Sequence, residues 1–145
     1  MNYILDTCVI SEMVKVKPDP YVLEWIRMQD EENLYLSVIT IGEIQKGISR
    51  LTDNQKKKEQ LQNWLSKELR NRFNARIIEL NYEAAMVWGK VLGDCEKRGI
   101  SLPAIDSLIA SQGLLHKMTV VTRNISDMEP SGVMLFNPWN ATAQR

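Results

Sequence analysis

Four acidic side chains, Asp6, Glu43, Asp106 and Asp127, stand where this chain can do chemistry, and local context places each of them. Asp6 ends the apolar run Tyr3, Ile4, Leu5, which reads as a strand, and ligands of parallel sheets sit outside the strands' carboxyl ends. Glu43 lies in TIGE, in the first turn of a helix that is expected to begin at Thr40 after a second strand. Asp106 opens the helix AIDSLIASQGLLH, which runs straight into a fourth strand. About thirteen residues rising about 1.5 Å each carry the start of that helix roughly 20 Å back to the carboxyl edge. Asp127 follows the fourth strand in TRNISDM. All four acids are therefore expected at one edge of a sheet.

Such a group calls for a counter-charge. Two carboxylates about 5 Å apart at an effective dielectric of about 20 repel by roughly 3 kcal/mol, and four repel more. Oxygen ligands with no histidine or thiol among them suit Mg²⁺ or Mn²⁺, ions that stabilise the attacking and leaving oxygens of phosphodiester hydrolysis. His116 is the only histidine, which excludes catalysis by a histidine pair and a histidine-rich metal site. Each acid also has a plainer explanation. Thr40 and Glu43 have the spacing of a capping box, Asp106 meets a helix dipole favourably, and Asp127 beside Asn124 and Ser126 can organise a turn. Thr7, Thr122 and Asn124 are the expected supporting side chains, since hydroxyls and amides orient carboxylates. Repulsion alone predicts that asparagine at Asp6 or Asp106 leaves the metal-free protein as stable as before, or more so.

The elements that must position these residues alternate. Asp19 and Pro20 read as the cap and first residue of a helix reaching about Gln29, and Asn33 releases the strand LYLSV. Ile41, Ile44, Ile48 and Leu51 form one apolar face, and a helix begun by Thr52 and Asp53 carries Leu61, Trp64, Leu65 and Leu69. ARIIEL is a third strand, Asn81 caps a long helix stopped by Gly99, and MTVVT and GVMLF are further strands. This alternation indicates a single-domain α/β, three-layer sandwich with a mostly parallel central sheet of about five strands.

Bulk properties agree. A chain of 145 residues, 44% hydrophobic and 25% charged, suffices for one core. Eighteen basic residues balance eighteen acidic ones, which argues against wrapping duplex DNA by bulk charge. With neither a basic leader nor a long apolar run, an intracellular, cytoplasmic protein is expected. Cys8 and Cys95 have no CxxC partner and read as small buried hydrophobes. Lys56, Lys57 and Lys58, with Arg70, Arg72 and Arg76, read as solvated helix faces, whereas Arg123 lies beside the acids in sequence. Trp25, Trp64, Trp88 and Trp139 read as core or dimer contacts.

The stretches LDTCVISE, TIGEIQKGI, PAIDSLIAS, TRNISDM and FNPW, in this order and at these separations, resemble the PIN-domain family, and within it the VapC and FitB type of bacterial toxin nucleases. The resemblance covers essentially the whole chain, so that residues 1–145 read as one PIN domain. It implies that Asp6, Glu43, Asp106 and Asp127 bind one or two Mg²⁺ or Mn²⁺ ions and cleave RNA, tRNA being one candidate, to a 5′-phosphate and a 3′-hydroxyl. It also implies a homodimer and a cognate antitoxin whose tail enters the acidic site and whose other end binds operator DNA. The chain itself would meet DNA only through that antitoxin, and no membrane is implied. Two residues depart from the family pattern: Cys8 stands at a usual asparagine and Met128 at a frequent phenylalanine. A fold-retaining binding module without turnover is the alternative. A phosphotransfer domain of the haloacid-dehalogenase type needs a second acid where Cys8 stands, and a dinucleotide-binding domain needs GxGxxG where DTCVIS stands.

Overall fold

The structure, a computed structural model, describes residues 1–139, and the remainder of the domain expected over 1–145 lies outside the described residues. Strand β1 (Tyr3–Leu5) is the middle of a five-stranded sheet of order β3-β2-β1-β4-β5, in which every neighbouring pair is parallel. The other strands are β2 (Leu34–Ser37), β3 (Ile77–Ile78), β4 (Thr119–Val121) and β5 (Leu135–Phe136). Tyr3 pairs with Leu34 on one side and Thr119 on the other. Strands covered on both faces read as continuous apolar runs, and Ile4, Leu5, Val120 and Val121 are all fully buried.

Side-chain alternation splits these residues between two cores. Ile4 and Val120 pack with Ile109, Ala110, Met118 and Met128 on one face; Leu5 and Val121 pack with Ile10, Trp25, Leu36 and Leu69 on the other. Helices α1 (Thr7–Glu12), α2 (Pro20–Met28), α3 (Val38–Ser49) and α4 (Gln55–Asn63) precede a π-helical turn, Trp64–Leu69, and the short α5 (Arg70–Arg72). Helix α6 (Tyr82–Lys97) packs against α7 (Ala104–His116), and α8 (Ile125–Met128) follows β4. Gly113 lets α7 approach the sheet: a Cβ there would stand 2.8 Å from both Val120 Cγ2 and Val133 Cγ2.

Several expected caps form. Asp19 accepts from the Tyr21 and Val22 N–H groups, and Asn81 from Ala84, while Gly99 at φ 74° turns the chain after α6. Others move. Ser37, not Thr40, caps α3, its Oγ accepting from the Ile39 N–H at 3.0 Å, so the Thr40–Glu43 capping box does not form. Asn54 rather than Thr52 or Asp53 caps α4. The third and fifth strands are shorter than ARIIEL and GVMLF, and Asp127 lies on α8 rather than in a loop. Helix α1, which no periodicity announces in six residues, begins directly after Asp6. Among the described residues no helix is long and apolar enough to cross a membrane.

Candidate active site

The chain order of the strands reverses direction between β1 and β4, and the carboxyl ends on either side of that point form a crevice. Asp6 enters it from β1. Its backbone N–H prolongs the ladder to the Val121 carbonyl at 2.9 Å, and its side chain caps α1 by accepting from the Thr7 N–H at 2.8 Å. The second carboxylate oxygen, Oδ2, accepts from Thr122 Oγ1 at 2.7 Å. Asp6 is only 2% exposed, so these donors are what make a buried charge tolerable. Thr122 in turn accepts from the Asn124 backbone N–H at 2.9 Å. The Asn124 contribution among the described contacts is thus through its main chain rather than its amide.

Glu43 reaches the same crevice from the second turn of α3, since that helix starts at Val38. Its Oε1 accepts from Thr7 Oγ1 at 2.5 Å, and the Thr7 hydroxyl also lies 3.1 Å from Thr40 Oγ1. Thr7 therefore couples the ends of β1 and β2: its N–H holds Asp6 and its hydroxyl holds Glu43. Asp106 comes from the first turn of α7 on the opposite face. Burial, then the charges of Asp6, Asp127 and Glu43, push its carboxyl up from 3.8 to about 6. Three acids from distant points of the chain, Asp6, Glu43 and Asp127, thus all lie near enough to Asp106 to act on it. Asp127 is the exposed member, on α8.

Among the described residues no three acid, histidine or cysteine side chains stand close enough to hold an ion as they are. Mutual repulsion acts against closer approach of like charges. The donors available are carboxylate oxygens backed by hydroxyls, the set that a hard divalent cation takes. Cys8 adds no charge to it. The thiol lies 3.6 Å from Asp6 Oδ2 and 3.7 Å from Thr122 Oγ1, and burial followed by the Asp6 charge pushes its pKa up to about 11. Cys8 is thus a half-buried neighbour of the site, while Cys95, 1% exposed, is the small core residue expected.

The surrounding residues divide clearly. Arg72 pairs with Glu31 at 2.6 Å, and Arg76 Nη1 donates to the Glu31 and Leu34 carbonyls at 2.5 Å, so both are structural. Trp25 is core, edge-on to Tyr3 at 5.0 Å, and Trp88 Nε1 donates to Ser107 Oγ across the α6–α7 contact. Two features carried no signal in the sequence. Glu12, 3% exposed, ties α1 to the start of α2 by accepting from the Asp19 N–H at 3.2 Å and pairing with Lys15 at 2.7 Å. Burial alone would raise its pKa, but Lys15, the Asp19 N–H and Arg123 outweigh that and hold it below the usual carboxylate range. The other feature is the seat of Arg123, whose guanidinium lies 4.2 Å over the Trp139 ring. A groove of about 230 Å³ leads from Thr7 and Glu43 past Ser11 and Ile44 toward Val14 and Trp64.

Comparison with known proteins identifies the family and the fold. The family model described as PIN domain matches residues 3–126. Plasmid stability protein StbB of Pseudomonas syringae pv. tomato is 34% identical over 138 residues, covering 95% of this chain and 99% of that protein. VapC ribonuclease Y4jK of Sinorhizobium fredii is 33% identical over 136 residues, covering 94% of this chain and 96% of that one. Among solved structures, FitAcB from Neisseria gonorrhoeae superposes with a TM-score of 0.91 at 32% identity, over 95% of this chain and 99% of its own.

Proposed function

The chain belongs to the PIN-domain family, of the VapC and FitB type, and on that premise we propose that it is a divalent-metal-dependent endoribonuclease, the toxin of a type II toxin–antitoxin system. The observation that carries this reading is the shared sheet edge, where Thr7 joins Asp6 to Glu43 and where burial, and then the charges of Asp6, Asp127 and Glu43, oppose ionisation of Asp106. Those four residues would hold Mg²⁺ or Mn²⁺, which when bound polarises water and the scissile phosphate and offsets their repulsion. Asp6 supplies the rigid ligand, because Thr7 and Thr122 fix both of its oxygens. Thr7 holds Glu43 in register with it. Asp127, exposed on a four-residue helix, is the ligand with most freedom to adjust. RNA is the substrate, and hydrolysis leaves a 5′-phosphate and a 3′-hydroxyl.

The same reading extends to the assembly. The domain spans residues 1–145, works in the cytoplasm as a homodimer, and is silenced by a cognate antitoxin, through which alone it meets DNA. A solved structural neighbour at 30% identity is FitAB bound to a DNA fragment, which supports an assembly of this kind. The groove beside Thr7 and Glu43 is where an antitoxin tail would reach the acids. The test is incubation of the purified protein with RNA and Mn²⁺, with and without chelator, beside Asp106→Asn. Cleavage that needs both the ion and Asp106 is expected. RNA left whole under every condition overturns the enzyme and leaves a binding module.

A further inference from the structure

Arg123 is the arginine next in the chain to a residue that holds Asp6. It directly follows Thr122, whose hydroxyl holds Asp6, and its backbone N–H is directed at the Cys8 sulfur. Its main chain is therefore tied to the acidic crevice. Its side chain is exposed, with the guanidinium carbon 4.2 Å from the centre of the Trp139 ring. Among the described residues no carboxylate lies within ion-pair distance of Arg123, a lack it shares with Arg50, Arg70 and Arg98, whereas Arg27 pairs with Glu24 and Arg72 with Glu31.

The ring beneath it is fixed. The Trp139 backbone N–H donates to Asn137 Oδ1 at 2.9 Å, and the ring packs against the core that contains Leu5, Trp25 and Val121. A guanidinium lying over an aromatic face is held in plane, and its N–H edges point outward. That edge matches two phosphate oxygens, and a lysine could not offer the same fork. An acidic site that receives a polyanion also needs positive charge close by, and a chain of zero net charge must supply it locally. We propose that Arg123, presented by Trp139, binds a backbone phosphate of single-stranded RNA at the rim of the site. This rests on the ribonuclease reading and names the residue that positions its substrate.

The alternative is that Arg123 only covers Trp139 or balances Glu12, whose carboxylate feels its charge. Salt dependence separates the two, because a phosphate contact releases a counterion and an internal contact does not. The assay is fluorescence anisotropy of a labelled mixed-sequence single-stranded RNA in Mn²⁺, from about 50 to about 250 mM KCl, with Asp106→Asn as the uncleaving parent. Adding Arg123→Gln is expected to weaken binding about tenfold and to lower the slope of log K against log salt by about 0.7. Arg123→Lys should keep the slope and lose part of the affinity, and it serves as the reporter if the glutamine variant does not fold. Equal affinity, or weaker binding with an unchanged slope, overturns the proposal while leaving the ribonuclease intact. If the parent binds no RNA and the unmodified protein cleaves none, the ribonuclease reading fails and this one falls with it.

Discussion

Replacing Asp106 with asparagine is expected to stabilise the metal-free protein, and the size of the effect follows from its surroundings. The rise from 3.8 to about 6 amounts to about 3 kcal/mol if taken in full. The side chain is partly exposed, so solvent screening leaves about 1.5 kcal/mol of that. Removing an acid from the first turn of α7 costs about 0.5 kcal/mol of favourable dipole interaction, for a net gain of about 1 kcal/mol. In a domain of this length that raises Tm by about 2–4 °C. The sign depends on pH. A carboxyl whose folded pKa is raised contributes stability that is complete below 3.8 and lost as pH rises through about 6. The variant should therefore match the parent at about pH 3.5 and exceed it above about pH 7. The assay is thermal unfolding in chelator at both pH values, repeated with Mn²⁺, which should stabilise the parent far more than the variant. A variant less stable than the parent at neutral pH, or a difference that ignores pH, would mean that Asp106 makes a structural hydrogen bond and is not held against its neighbours' charge.

Other perturbations have different signs. Asp6→Asn, neutral or stabilising on repulsion alone, should instead cost about 1–2 kcal/mol in urea unfolding, because it weakens the charge-assisted bonds from Thr122 and Thr7. Thr122→Val should cost about 1–3 kcal/mol by orphaning the Asn124 N–H and leaving Asp6 Oδ2 with the weak Cys8 thiol donor alone, and should lower Mn²⁺ affinity, read by titration calorimetry, about tenfold. Gly113→Ala should destabilise by about 1–2 kcal/mol despite alanine's better helix propensity, since its methyl meets two stiff valine side chains at 2.8 Å; a rise in Tm would show that α7 can shift.

Local signals in the sequence were sufficient where the physics is local. An apolar run ending on Asp6, a proline after Asp19 and an asparagine before a long apolar stripe specify a strand, a cap and a helix start through neighbours a few residues away. The alternation of such elements also implied a covered parallel sheet, and chain direction implied which edge the four acids share. Where two local solutions compete, the sequence could not choose. Ser37 and Thr40 both suit the start of α3, and packing selected Ser37, which buried Thr40 beside Thr7. Helix α1 was hidden because six residues are too few to show a period and its cap, Asp6, also reads as a ligand.

Only the tertiary structure decided which strands neighbour β1, how strongly Asp106 feels the other acids, and that Arg123 lies on Trp139 sixteen residues further on. These are interactions through space between groups far apart along the chain. Their strength depends on distance, burial and orientation, which no spacing in a linear sequence encodes.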